Sequence, residues 1–423
     1  MAQTGTDPIQ QREFAFRVVQ RLRDAGYESL WAGGCVRDAL LDRQPDDYDV
    51  ATSATPEQVM QVFRRTIPVG VSFGVVMVPG RKPGDGQIEV ATFRADGDYL
   101  DGRHPADVVF CSAEEDAQRR DFTINGMFFD PIEERVIDYV GGQDDLKAGI
   151  LRAIGNPEDR FTEDKLRMLR AVRFAATYEL EMDAATKSAI QRLHADLIQV
   201  SVERIAQELR RMLSHSTRHI AFEYLQDTQL LKVICAGELA NANSQAVNAL
   251  RHLRMPRFES AFALLGGHLI DPDQPPGKRG GPLQDLCRGL KLSNTETSDI
   301  SWLAHSLFQI AAPSELPLHQ LKPILADPRY KLLIDISKAV DAGASSAPDA
   351  ARWIEHYLSD TTEQQLNPQP LVSGGDIESL GVPKGPVFAK LLQEVRRAQL
   401  DEEVGTREEG LALLQRLAES RQD

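Results

Sequence analysis

Asp47 and Asp49 flank Tyr48 in the run Asp47-Tyr48-Asp49-Val50, downstream of a glycine pair, Gly33-Gly34. Alternate residues of a strand share a face, so the two carboxylates project from one side about 6–7 Å apart along the backbone. Magnesium takes oxygen ligands and keeps several waters, and two carboxylates completed by substrate phosphates suit it. Taken alone, the pair also reads as a solvated acidic turn, as Asp46-Asp47 after Pro45 suggests. A third carboxylate, Glu89, lies in Gln87–Phe93, whose pattern is that of a half-buried strand, so it either sits on the exposed face or ligates something. If that strand lies beside the Asp47 strand, Asp47, Asp49 and Glu89 form a catalytic triad of acids. Two magnesium ions held there would lower the pKa of an attacking 3′-hydroxyl and stabilise a pyrophosphate leaving group, with no protein general base.

The segment Gly33-Gly34-Cys35-Val36-Arg37-Asp38 follows a short strand and enters an apparent helix, Val36 to Leu41. A glycine pair there lets backbone N–H groups approach phosphate oxygens, and Arg37 adds positive charge. An ordinary strand-to-helix turn has the same appearance.

The elements that must position these residues change character along the chain. Glu13 to Ala25 carries Phe14, Val18, Val19 and Leu22 at helical spacing and ends at Gly26. From there to Tyr139, β-rich runs at Leu30–Ala32, Tyr48–Ala51, Phe73–Val78 and Ile88–Phe93 alternate with turns and helical stretches. Beyond Gly141-Gly142 helical periodicity dominates, as in Leu166, Leu169 and Val172, or Ile205, Leu209 and Met212. Two stretches, Asp271–Pro282 and Asp341–Pro348, read as surface loops.

A chain of 423 residues with 42% hydrophobic and 26% charged residues is an ordinary globular composition, too long for one core. Met1–Gln11 has neither the basic start nor the apolar run of a secretory signal, and no apolar stretch is long enough to span a bilayer, so a cytoplasmic location is expected. Cys35, Cys111, Cys235 and Cys287 show no paired spacing, which argues against disulfides or zinc. A formal net charge of −15 excludes indiscriminate nucleic-acid binding and requires any such site to be local. Arg160, Arg170, Arg173, Arg204, Arg210 and Arg211 supply one such local excess of positive charge.

Together these residues resemble the class II CCA tRNA nucleotidyltransferases and bacterial poly(A) polymerases, a branch of the polymerase-β-like nucleotidyltransferase superfamily. The resemblance runs through Gly33–Asp38, Asp47–Thr52, Glu89–Arg94, Asp101–Pro105, Arg119–Asn125, Asp138–Leu146 and Phe161–Arg167, and weakens after residue 213. Gly375 stands where the family often carries lysine, implying a weaker backbone contact, and Gly126 replaces a common alanine, expected to matter little.

The resemblance implies an α+β fold, an N-terminal nucleotidyltransferase head with a small mixed sheet (residues 1–148), a helical neck (149–215) and a helical body and tail (216–423). Triphosphate and sugar contacts are expected from Gly33, Gly34, Arg37, Arg120, Asp121 and Asn125, with Asp121 and Asn125 on one face of a helical turn. Asp164 and Arg167, three apart on a predicted helix, are the implied nucleobase readers. Cytosine and adenine each present an amine donor beside a ring-nitrogen acceptor, which suits a carboxylate and a guanidinium. Arg94, Arg103, Glu163, Arg170 and Arg173 are candidate nucleotide or RNA contacts, Arg103 within a loop that helps the family's site change nucleotides. The implied activity is template-free addition of CMP and AMP to the tRNA 3′ end from CTP and ATP with two Mg2+ ions. Alternatives are poly(A) addition to RNA 3′ ends, a CC-only or A-only enzyme, and, from another class, a catalytically inactive RNA-binding protein. No membrane association and no obligate protein partner are expected. The acidic-rich end, Asp401–Asp423, favours tRNA over varied RNAs.

Overall fold

The computed structural model describes residues 7–70, 74–82, 84–96, 108–235, 237–271, 280–343, 350–383 and 385–420. They form two compact units, one comprising residues 1–212 and 220–237, the other 213–219 and 238–423.

The first unit begins with α1 (Pro8–Asp24), longer at its start than the apolar periodicity suggests because Asp7 caps the amides of Ile9 and Gln10 and Pro8 occupies the first turn. The strands are β1 (Ser29–Ala32), β2 (Asp49–Thr52), β3 (Ile67–Gly70), β4 (Val75–Pro79), β5 (Gln87–Thr92), β6 (Arg94–Asp96), β7 (Val108–Phe110), β8 (Phe128–Asp130) and β9 (Arg135–Ile137). Seven make one mixed sheet in the order β3-β4-β5-β2-β1-β8-β9, and β6 and β7 form a separate ribbon. Within the described residues of the seven-stranded sheet, only β2 and β5 run parallel. Three short helices join these strands: α2 (Gly34–Leu40), α3 (Pro56–Val62) and α4 (Ala113–Gln118).

The sheet passes into helices through α5 (Gly142–Ala148), and a two-residue parallel pair, β10 (Ile150–Leu151) with β11 (Glu181–Met182), is the last strand structure among the described residues. The helices α6 (Pro157–Glu163), α7 (Leu166–Thr177), α8 (Ala184–Leu193) and α9 (Val202–Leu213) follow. The periodic positions Leu166, Leu169, Val172, Ile205, Leu209 and Met212 are buried. Burying such a stripe supplies most of the stability of an amphipathic helix.

The second unit is helical, with buried Arg218 donating to the carbonyls of Leu213, Leu250 and Leu253. Its helix Tyr330–Gly343 runs into the stretch expected to be a loop from Asp341. Of the other expected loop, residues 272–279 lie outside the described residues, as does Arg103 with its whole motif. Among the described residues no helix is long and apolar enough to cross a membrane.

Candidate active site

Sheet register gathers the acids. Ala32 pairs with Asp49, and Asp49 pairs in turn with Glu89, so three adjacent strands place the end of the glycine turn, one aspartate and the glutamate in a row. Neighbouring strands lie about 4.8 Å apart, and paired residues share a face. Asp47 precedes β2 rather than lying within it, but the alternation persists: Tyr48 between the two acids is 4% exposed and packs edge-on against Trp31 on the far face. Asp47, Asp49 and Glu89 line one cleft of about 610 Å³.

These carboxyls resist ionisation. Burial, then Glu89 and Asp47, push Asp49 up to about 7 against the pull of Arg120. Burial with Asp46 and Asp38 raises Asp47 against Arg37, and burial with Asp47 raises Glu89 against Arg94. An arrangement that disfavours its own negative charge is one that a divalent cation would stabilise. Asp47 and Asp49 offer only oxygen donors, the kind that magnesium takes, and among the described residues no group of three or more His, Cys, Asp or Glu side chains is drawn together to hold a metal ion.

The cleft is also lined by cations, Arg37, Arg94, Arg119, Arg120, Arg167, Arg170 and Arg173. Gly33 precedes α2 as its cap at φ 70°, and a Cβ there would meet Arg120 Nη1 at 3.1 Å. That backbone conformation favours glycine, and a side chain there would also press on the guanidinium. Arg120 is oriented by Asp116, which accepts from its Nη2 at 2.9 Å, and by the Asn125 carbonyl at 3.3 Å.

Asp121 and Asn125 meet through a short 3-10 turn, Thr123–Asn125, instead of a regular helical turn. Phe122 breaks the helix by bridging to Ala153 in antiparallel fashion. Asn125 Nδ2 donates to Asp121 Oδ1 at 3.1 Å, and Arg170 donates twice to Asp121 Oδ2 at 2.9 and 2.7 Å. Burial alone would raise the Asp121 pKa, but Arg170 and Asn125 outweigh it and hold the carboxyl low. Arg37 Nη1 donates to Asn125 Oδ1 at 2.5 Å.

Asp164 and Arg167 do not share a continuous helix as the spacing predicts. Asp164 is the extended residue ending α6, φ −136° and ψ 105°, and Arg167 is the second residue of α7. The break lets Asp164 Oδ1 accept from the Leu166 amide at 3.0 Å, capping α7, while Arg204 holds Oδ2 at 2.9 Å. Arg167 donates to Glu163 at 2.6 Å and to the carbonyls of Arg160 and Arg119 at 3.2 and 3.1 Å. Asp164 and Arg167 both line the cleft; Glu163 does not, and acts through Arg167.

Phe174, Tyr178, Asp116 and Glu208 escape the sequence reading. Phe174 lies under three guanidiniums, Arg37 at 5.3 Å, Arg170 at 5.1 Å and Arg173 at 4.1 Å. Buried Glu208 accepts from Arg173 Nε at 2.6 Å. The signal for the aromatic pair was present in Arg170, Arg173, Phe174 and Tyr178, cations and rings interleaved at helical spacing along α7 and its cap.

Residues 30–152 match the family model for the poly A polymerase head domain, and 179–239 that for the probable RNA and SrmB-binding site of polymerase A. A CCA-adding enzyme of Oceanobacillus iheyensis is 39% identical over 259 residues, 60% of this chain and 62% of that protein. One from Geobacillus kaustophilus is 34% identical over 403 residues, 94% of this chain and 95% of the relative. The crystal structure of the Bacillus stearothermophilus CCA-adding enzyme in complex with CTP superposes with a TM-score of 0.77 at 29% identity, covering 98% of each chain. Since the similarity extends from the acid-bearing sheet through the helical second unit, this chain belongs to the CCA-adding enzyme family.

Proposed function

We propose that this chain adds CMP and AMP to the 3′ end of tRNA from CTP and ATP without a template. The observation that carries the reading is one cleft lined by Asp47, Asp49 and Glu89, by the arginines that include Arg167, and by Asp164.

In this reading the 3′-oxygen bonds to the α-phosphorus as the bond to the bridging oxygen breaks, and pyrophosphate leaves. Asp47 and Asp49 would hold magnesium, which when bound would activate the 3′-hydroxyl and neutralise the leaving group, with Glu89 adding to the acidic lining. Arg37 and Arg120 receive the triphosphate beside the glycine turn, with Arg94, Arg170 and Arg173 enlarging the positive field. Asp121 and Asn125 set Arg170 and Arg37 and border the sugar.

Base choice falls to Asp164 and Arg167. Three of the five N–H groups of Arg167 are engaged, leaving two for a nucleobase acceptor. Arg204 and the α7 amide hold the Asp164 carboxylate where it accepts an exocyclic amine. Uracil and guanine reverse this donor–acceptor order and leave the groups unpaired. The same reading places the protein in the cytoplasm, where tRNA and nucleoside triphosphates are available.

The test supplies tRNA lacking its 3′ end, and separately unstructured RNA, with CTP or ATP singly and then with both. Ordered CCA confined to tRNA is the expected product. Long adenylate tails on either RNA would refute the reading in favour of poly(A) addition.

A further inference from the structure

The sheet has a second recess that this chemistry does not use. Met77 pairs with Glu89 and Val75 with Ala91 on the cleft side, whereas Val78 pairs with Ile88 on the opposite face. A concavity of about 330 Å³ opens beside Val78 and Pro79, bordered by α1, the residues after α3 and the β4–β5 turn.

Its lining carries Arg17, Arg21, Arg64, Arg65, Arg81 and Lys82 against one carboxylate, Asp85. That carboxylate is already engaged: it accepts from Arg17 at 3.0 Å and from the backbone amides of Arg81 and Lys82 at 3.1 and 2.9 Å. Arg21 lies over the Phe63 ring at 5.1 Å. Arg64, Arg65, Arg81 and Lys82 are exposed and have no carboxylate partner among the described residues. So many uncompensated cations around a small recess repel one another unless an anion joins them, and they do so in a chain of net charge −15.

We propose that this concavity binds the phosphodiester backbone of RNA at a point separate from the cleft that receives the 3′ end. Guanidinium forks match phosphate oxygens bidentately, and a cluster of arginines on one face of an otherwise acidic molecule is an electrostatic footprint for nucleic acid. The core of a protein–protein contact is instead depleted of charge and rich in apolar anchors. The assignment rests on the proposed function only in naming RNA as the polyanion.

The test measures binding of full-length protein to tRNA lacking its 3′ end over a series of salt concentrations. The variants are Arg64→Gln/Arg65→Gln and, as a control losing the same charge elsewhere, Arg12→Gln/Arg135→Gln. Each phosphate contact contributes roughly 0.7–0.9 to the slope of log K against log salt, so the first variant should lower the slope by about 1.5 and weaken binding about ten-fold at low salt. Its kcat at saturating tRNA should stay at the parent value, and the control should change neither quantity beyond about two-fold. Equal slopes in parent and first variant would overturn the proposal, as would an equal loss in the control. So would retention of the slope with loss of a poly-glutamate peptide that the parent binds, which assigns the recess to an acidic protein. If the parent itself adds no nucleotide, the catalytic reading fails while the binding slopes still decide this one.

Discussion

Arg37 shows how closely a single side chain is specified. Its Nε donates to Asp38 at 2.9 Å, its Nη1 to Asn125 at 2.5 Å and its Nη2 to the Tyr178 hydroxyl, while the Tyr178 ring lies 4.1 Å from the guanidinium. The Tyr178 hydroxyl donates onward to Asp38 at 2.9 Å. Tyr178 thus acts as a positioning residue, tying the end of α7 to the helix that follows the glycine turn. Tyr178→Phe keeps the ring and loses the bridge, which should lower kcat/KM for CTP by about five-fold, the kinetic equivalent of roughly 1 kcal/mol. Tyr178→Leu, which also removes the cation–π contact, should cost more; equal kcat/KM values for the parent and both variants would refute the positioning role. If Arg167 reads the base as proposed, Arg167→Ala should erode selection of CTP over UTP. Competition between the two nucleotides at equal concentration checks this, and undiminished selection would discredit the role.

At the scale of elements, α4 presents Asp116, 1% exposed, to both Arg119 and Arg120. Burial alone would raise its pKa, but Arg120 and then Arg119 outweigh that effect and hold the carboxyl below its ordinary value. The stabilising contribution is therefore fully present above the unfolded pKa of about 4 and is lost as pH falls through the lower folded value. Asp116→Asn should destabilise the protein by about 2–3 kcal/mol near neutral pH, with the difference shrinking in acid. Urea unfolding of both proteins across that range measures it, and a pH-independent difference would contradict the linkage. How much of this was legible beforehand depends on how local the signal is. The run at Ile88–Phe93 announces β5 because alternation and β-branching sit within the segment, whereas Leu30–Ala32 announces β1 only as a short apolar run before the glycine pair. The β2–β5 pairing that brings Asp49 beside Glu89 is long-range, and the acids' own sequence leaves it conditional. The α6–α7 break was missed because the Glu163–Arg167 run reads as continuous helix, whereas capping by Asp164 and its bond to Arg204, distant in sequence, stabilise the break. Gly126 also proves less neutral than expected, since a Cβ there would meet Val140 at 2.7 Å.

On the scale of the whole molecule, the described residues that line the cleft belong to the first compact unit. Changes in the second unit should therefore alter tRNA binding without altering nucleotide affinity. Gly375 allows a direct trial. It lies in the first turn of the helix Gly374–Ser379, and a Cβ there would make ordinary contact with Ser373 Oγ at 3.7 Å. Gly375→Lys, which restores the side chain the family often carries, should lower the KM for tRNA a few-fold and leave the KM for CTP unchanged; a shifted CTP KM would contradict the separation. The claim beneath all of this is that the acids of the sheet perform the transfer and do not hold the RNA. Single-turnover CMP addition by Asp47→Ala, measured beside its tRNA affinity, tests it most directly. The account predicts a rate lowered by on the order of 10³-fold with tRNA Kd within about two-fold of the parent. Turnover near the parent rate, or loss of tRNA binding in proportion to the loss of rate, would contradict it.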